Sequence, residues 1–151
     1  MSSSQQISRI LQRDRVIAVV GLSTNEQRPS NEVAAYLQAR GLRIVPVNPA
    51  YAGNGGKVLG ETCYPDLASA ARALAAEGSA IDLVDVFRRP EEVVDIARDA
   101  VAIGAKTLWL QLGVINEEAA AIAAAAGLDV VMDHCLKIEY ARLAPGGALP
   151  S

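Results

Sequence analysis

Short runs rich in β-branched apolar residues recur along this chain at 16–20, 43–47, 81–87, 106–110 and 128–132, with a shorter one at 62–64. Most of the intervals between them carry helix signals. Segment 28–40 begins Arg28-Pro29-Ser30, where proline suits a first turn, places Val33 and Leu37 on one stripe and stops at Gly41. Asp66 precedes Leu67, Ala70, Ala71 and Leu74, whose i, i+3, i+4, i+7 spacing makes one apolar face ahead of Gly78. Pro90-Glu91-Glu92 opens a helix that Gly104 ends, and Asn116-Glu117-Glu118 opens an alanine-rich one that Gly127 ends. Strands separated by helices cannot pair as hairpins. Each needs a crossover, and right-handed crossovers lay strands parallel with helices on both faces. The pattern predicts an α/β, doubly wound fold with a mostly parallel sheet of five to six strands.

A chain of 151 residues has room for one such core. The sequence pattern predicts a partly helical N-terminal segment 1–14, a domain over 15–140 and a mobile tail 141–151. With 51% hydrophobic and 21% charged residues and a net charge of −3, no broad basic face for nucleic acid is expected. The polar first fifteen residues lack a signal-peptide core and no later apolar stretch reaches spanning length, so a cytoplasmic location away from membranes is expected. Cys63 and Cys135 lie far apart with no CxxC or Cys/His spacing, which predicts free thiols, no disulfide and no metal site.

Doubly wound sheets place ligands beyond the carboxyl ends of their strands. The first such loop runs from Gly21 through Ser23 and Arg28 to Pro29 and Ser30, where loop amides and a helix start attract phosphate. It lacks both the GxGxxG spacing and the GK[ST] ending of a P-loop. The second strand ends in Asn48 and Pro49 rather than in the carboxylate that holds the ribose of NAD, which counts against a dinucleotide module. Val86, Phe87, Arg88 and Arg89 bring two cations to the exit of the fourth predicted strand, and Lys57 adds a third from a glycine-rich loop. Gln111 and Asn116 supply polar side chains after the fifth, although capping explains Asn116 equally well. Asp85 interrupts an apolar strand and is read as tying down a neighbouring loop. His134 and Cys135 are adjacent, so an extended chain turns them in different directions and no catalytic dyad is assigned.

Taken in order, Gly21-Leu22-Ser23, Arg28-Pro29-Ser30, Val47-Asn48-Pro49, Leu59-Gly60, Asp85-Val86-Phe87-Arg88, Leu108 to Gly113 and Asp133 to Glu139 resemble the small stand-alone CoA-binding proteins. These are similar to the N-terminal CoA-binding domain of the succinyl-CoA synthetase α subunit, and the likeness covers about residues 7–140. The resemblance implies a Rossmann-like fold that binds coenzyme A or an acyl-CoA, without a catalytic residue of its own. It places the diphosphate near Gly21, Ser23 and Arg28 to Ser30, and the 3′-phosphate region near Asn48, Lys57 and residues 86–89. Several small members carry arginine before the cysteine where this chain has His134, which makes any charge there pH-sensitive. Two alternatives stand beside this reading: an NAD-binding regulatory module, and a redox enzyme or sensor that sets Cys135 against the CoA thiol.

Overall fold

In the computed structural model, which describes residues 2–53 and 55–143, the chain runs α1 (Ser4–Arg13), β1 (Val16–Val20), α2 (Pro29–Ala39), β2 (Arg43–Val47) and two short strands, β3 (Lys57–Val58) and β4 (Glu61–Thr62). It continues through α3 (Leu67–Ala76), β5 (Leu83–Val86), α4 (Val93–Ala102), β6 (Thr107–Leu110), α5 (Glu117–Ala125), β7 (Asp129–Met132) and α6 (Leu136–Leu143). Five strands form one sheet in the order β2-β1-β5-β6-β7, every neighbouring pair parallel. From β1 the chain steps outward to β2, then returns to the other side of β1 through β5. The order reverses there, and a crevice opens above the β1/β5 boundary.

Period-two alternation sorts the strand side chains onto two cores. Ala18, Val20, Val84, Val86, Leu108 and Leu110 face α3, α4 and α5. Ile17, Val19, Leu83 and Trp109 face α1, α2 and α6. Full burial of a Leu, Ile or Phe-sized side chain is worth roughly 1.5–3 kcal/mol. Helix starts follow the capping chemistry. Asp66 accepts from the Ser69 N–H at 2.7 Å, and Asn116 accepts from the Ala119 N–H at 2.9 Å.

Three expected boundaries move. The run at 62–64 adds no strand to the main sheet. The chain folds back on itself through Gly56 N–H to Gly53 O and the antiparallel β3/β4 pair, which consumes the main-chain groups that would have extended it, and Tyr64 keeps a single parallel bridge to Val47. Pro90-Glu91-Glu92 forms a 3-10 turn, and the α-helix begins at Val93. The last helix carries on to Leu143, past the expected boundary at 140. The remainder of the expected tail lies outside the described residues.

At the amino ends of the strands, carboxylates are fully engaged. Asp82 accepts from the N–H groups of Arg15 and Val16 at 2.9 and 3.0 Å and meets Lys106 at 3.1 Å. Asp14, 1% exposed, pairs with Arg13 at 2.6 Å and accepts from the Thr107 hydroxyl at 2.6 Å. This end is sealed by structure, whereas the carboxyl end is open.

Candidate functional site

As the chain leaves β1, Gly21 donates to Val47 O at 2.8 Å and adopts φ +91°, while the Phe87 carbonyl stands where a β-carbon would project. Only glycine lets the ends of β1 and β5 come this close. The following loop is tied to the first turn of α2. Ser23 N–H donates to Ser30 Oγ at 3.0 Å and Ser23 O accepts from Asn31 Nδ2 at 2.9 Å. Ser23 Oγ in turn accepts from Asn25 N–H, and Asn25 Oδ1 from Gln27 N–H. Several loop amides expected to be free for a ligand are therefore used by side chains of the loop itself. Arg28 is the N-cap residue of α2 without a side-chain capping bond, so its guanidinium remains at the surface.

Asn48 is buried at the end of β2 and works as a tie between loops. Its amide donates to Leu22 O at 3.1 Å, and its Oδ1 accepts from Ala50 N–H at 3.0 Å with Arg88 at 3.5 Å. Arg88 is half-buried behind β5, whereas Arg89 is 77% exposed and within 3.6 Å of Glu91 and 3.5 Å of Glu92. Arg28 and Arg88 make no ion pair among the described residues, so their charge is left for another partner. Gln111, 4% exposed, accepts from Leu136 N–H at 3.1 Å and thereby fixes the start of α6.

These elements enclose a cavity of about 590 Å³ above the sheet reversal. Gly21, Ser23, Arg28, Pro29, Ser30, Phe87, Arg88, Arg89 and Gln111 all line it. The remaining sequence candidates fall elsewhere. The Val86 side chain is fully buried in the core, because it points into the α3, α4 and α5 layer. Pro49 borders a second groove that shares Arg88 and is rimmed by Asp66, Glu91, Glu92, Asp95 and Asp99. Lys57 sits on the β3/β4 hairpin beside Thr24, Glu26 and Asn31, in a third groove. Asn116 caps α5 and donates to Pro90 O at 2.8 Å, so both ends of its side chain are engaged.

Tyr51 also lines the cavity and was not among the sequence candidates. Its sequence signal was an aromatic residue at the head of a glycine-rich loop, too common a pattern to single out. The phenol lies against the β1–α2 loop. Hydrogen bonds from Ser23, then from Thr24, hold it below the usual tyrosine range, with Arg28 adding to the effect.

Asp85 departs from expectation. It is completely buried in β5, registered between Val19 and Trp109, and neither carboxyl oxygen has a hydrogen-bond partner among the described residues. It anchors no loop. Burial alone pushes its carboxyl well above the ordinary range, so the neutral acid is the form that the core tolerates. His134 faces Glu139 at 3.2 Å, and Glu139 also meets Arg142 at 3.0 Å. The half-buried Cys135 packs against the same core layer as Phe87. Cys63 is buried, its thiol pushed up by desolvation, with its S–H directed at Asn48 O at 3.5 Å.

Residues 15–141 match the model of the CoA binding domain family. The chain belongs to that family. It is 37% identical over 139 residues to the uncharacterized protein YneT of Bacillus subtilis, covering 92% of this chain and 95% of that one. Among solved structures it is similar to a hypothetical protein from Pyrococcus horikoshii, with TM-score 0.82 and 35% identity over 94% of this chain and 92% of that one. A Thermus thermophilus protein superposes with TM-score 0.82 at 30% identity, covering 94% and 99% of the two chains. The parallel α/β architecture and the family resemblance read from the sequence both hold. No helix among the described residues is long and apolar enough to cross a membrane.

Proposed function

We propose that the 590 Å³ cavity binds coenzyme A or an acyl-CoA. One observation carries this reading: in a chain of net charge −3, the crevice at the sheet reversal gathers Arg28, Arg88 and Arg89 with the hydroxyls of Ser23 and Ser30. Such a donor set suits a diphosphate, which needs cations and directional donors together. The family's description points to the same ligand. Phe87, Leu112 and Val114 supply apolar wall along the cavity, suited to a pantetheine arm. Arg28, at the α2 N-cap, adds its charge to the positive end of the helix dipole, and Arg88 stands between the main cavity and the acidic groove.

Calorimetry on ligand-stripped protein tests the proposal, with CoA, acetyl-CoA and NAD titrated separately. Saturable heat with CoA or its thioester, and none with NAD, is the expected outcome. Ligand at 100 times its dissociation constant should also stabilise the fold by about 2.7 kcal/mol. Silence with both CoA and acetyl-CoA sinks the reading.

A further inference from the structure

The Gln111 side chain stands at the exit of β6, 4% exposed, and lines the cavity above the sheet reversal. Its Oε1 accepts from the Leu136 N–H at 3.1 Å. Because that partner is a donor, the oxygen is committed to α6 and the NH2 end is turned away from that contact. Nε2 has no hydrogen-bond partner among the described residues. Yet it is not one of the buried polar atoms sealed off without a partner, which are Arg40 Nε and the two Asp85 oxygens. The surface it keeps belongs to the cavity wall, which therefore presents a neutral N–H donor at this point.

This donor is held in advance. Val114 N–H donates to Gln111 O at 2.8 Å, and the Trp109 indole N–H donates to His134 O at 2.9 Å, which ties the end of β6 to the turn that opens α6. A desolvated donor without a partner is costly, and an acceptor on a ligand removes that cost. The surroundings define which acceptor fits. Leu112 and Val114 beside Gln111 are apolar, whereas Arg28, Arg88 and Arg89 gather on the β1 and β5 side of the cavity. With β1, β5 and β6 adjacent in the sheet, Gln111 stands two strand spacings, about 10 Å, from the β1 exit. A phosphate oxygen at Gln111 would lose water without gaining a counter-charge, but a carbonyl needs only the hydrogen bond.

We infer that Gln111 is a specificity-determining residue whose Nε2 donates to a carbonyl oxygen of the ligand, either an amide of a pantetheine arm or the thioester beyond it, while the arginines hold the diphosphate. This rests on the reading of the cavity as a CoA or acyl-CoA site and deepens it. Charge on the β1 and β5 side recognises the phosphates of any nucleotide. The amide on β6 then favours those that carry a carbonyl at this reach, since a ligand without one leaves the donor unsatisfied.

Gln111→Glu tests the inference, because the carboxylate keeps an oxygen for Leu136 N–H and replaces only the NH2. CoA, acetyl-CoA and ADP, which has the diphosphate but no carbonyl, are titrated by calorimetry into wild type and variant. The variant should weaken CoA and acetyl-CoA by about tenfold or more, and ADP by no more than about threefold. A larger loss for acetyl-CoA than for CoA assigns the contact to the thioester, and the same loss for both assigns it to a pantetheine amide. In wild type the isotope-labelled side-chain NH2 of Gln111 should move downfield in NMR spectra with CoA and stay in place with ADP, a readout that needs no variant. Unchanged CoA affinity in the variant, or CoA and ADP weakened alike with an unmoved NH2 signal, overturns the inference and leaves the CoA reading standing. Failure of wild type to bind either CoA or acetyl-CoA sinks the CoA reading and the carbonyl contact together.

Discussion

The main-chain oxygen of Phe87 closes on Gly21 so tightly that a β-carbon at residue 21 would overlap it, with Arg88 Nε the nearest atom outside Phe87. This contact brings the β1–α2 loop and the cationic β5 exit to opposite sides of one cavity. Gly21→Ala would add both the overlap and a side chain at φ +91°. A loss of about 2–4 kcal/mol of stability is expected, visible in the urea midpoint, together with loss of CoA binding. A variant that keeps both would mean that the two strand ends can part without consequence.

Arg28 and Arg88 should matter to ligand affinity, whereas Lys57 should not. The two arginines line the cavity without ion pairs among the described residues, and Lys57 belongs to a separate groove. Arg28→Gln and Arg88→Gln should each weaken CoA by about tenfold and flatten its salt dependence. Lys57→Gln should stay within about twofold of wild type in the same titration. Arg89 shares its charge with Glu91 and Glu92 and should fall between them.

Asp85 predicts how stability changes with pH. Its carboxyl titrates at about 3.9 in the unfolded chain but well above that when buried. Between those two values the folded chain holds a proton that the unfolded chain has released, so stability falls as pH rises. The slope approaches about 1.4 kcal/mol per pH unit at most. Below the unfolded value the penalty vanishes. Urea denaturation of wild type and Asp85→Asn from about pH 4 upward should show the wild type losing ground to the non-titrating variant as the pH rises. Parallel curves would mean that the carboxyl finds a partner in solution.

Asn116 separates a structural role from a ligand role. With its Oδ1 on Ala119 N–H and its amide on Pro90 O, Asn116→Ala should cost about 1 kcal/mol in thermal or urea unfolding. CoA affinity measured well below the melting transition should be unchanged. A selective affinity loss at full stability would move Asn116 into the binding surface.

Local pattern was enough to place the strands of the parallel sheet, the helix caps at Asp66 and Asn116, and a strand-end loop from Gly21 to Ser30 that lines the cavity. Those features depend on period, propensity and short-range hydrogen bonds, all carried by neighbouring residues. What each strand-end side chain faces was settled only by the packed chain. Val86 turned into the core, Lys57 was carried off on a hairpin, Asp85 found no partner among the described residues, and Tyr51 was brought into the cavity wall with Ser23. Each outcome depends on contacts between residues distant in sequence, where packing and loop closure, rather than composition, decide the neighbour.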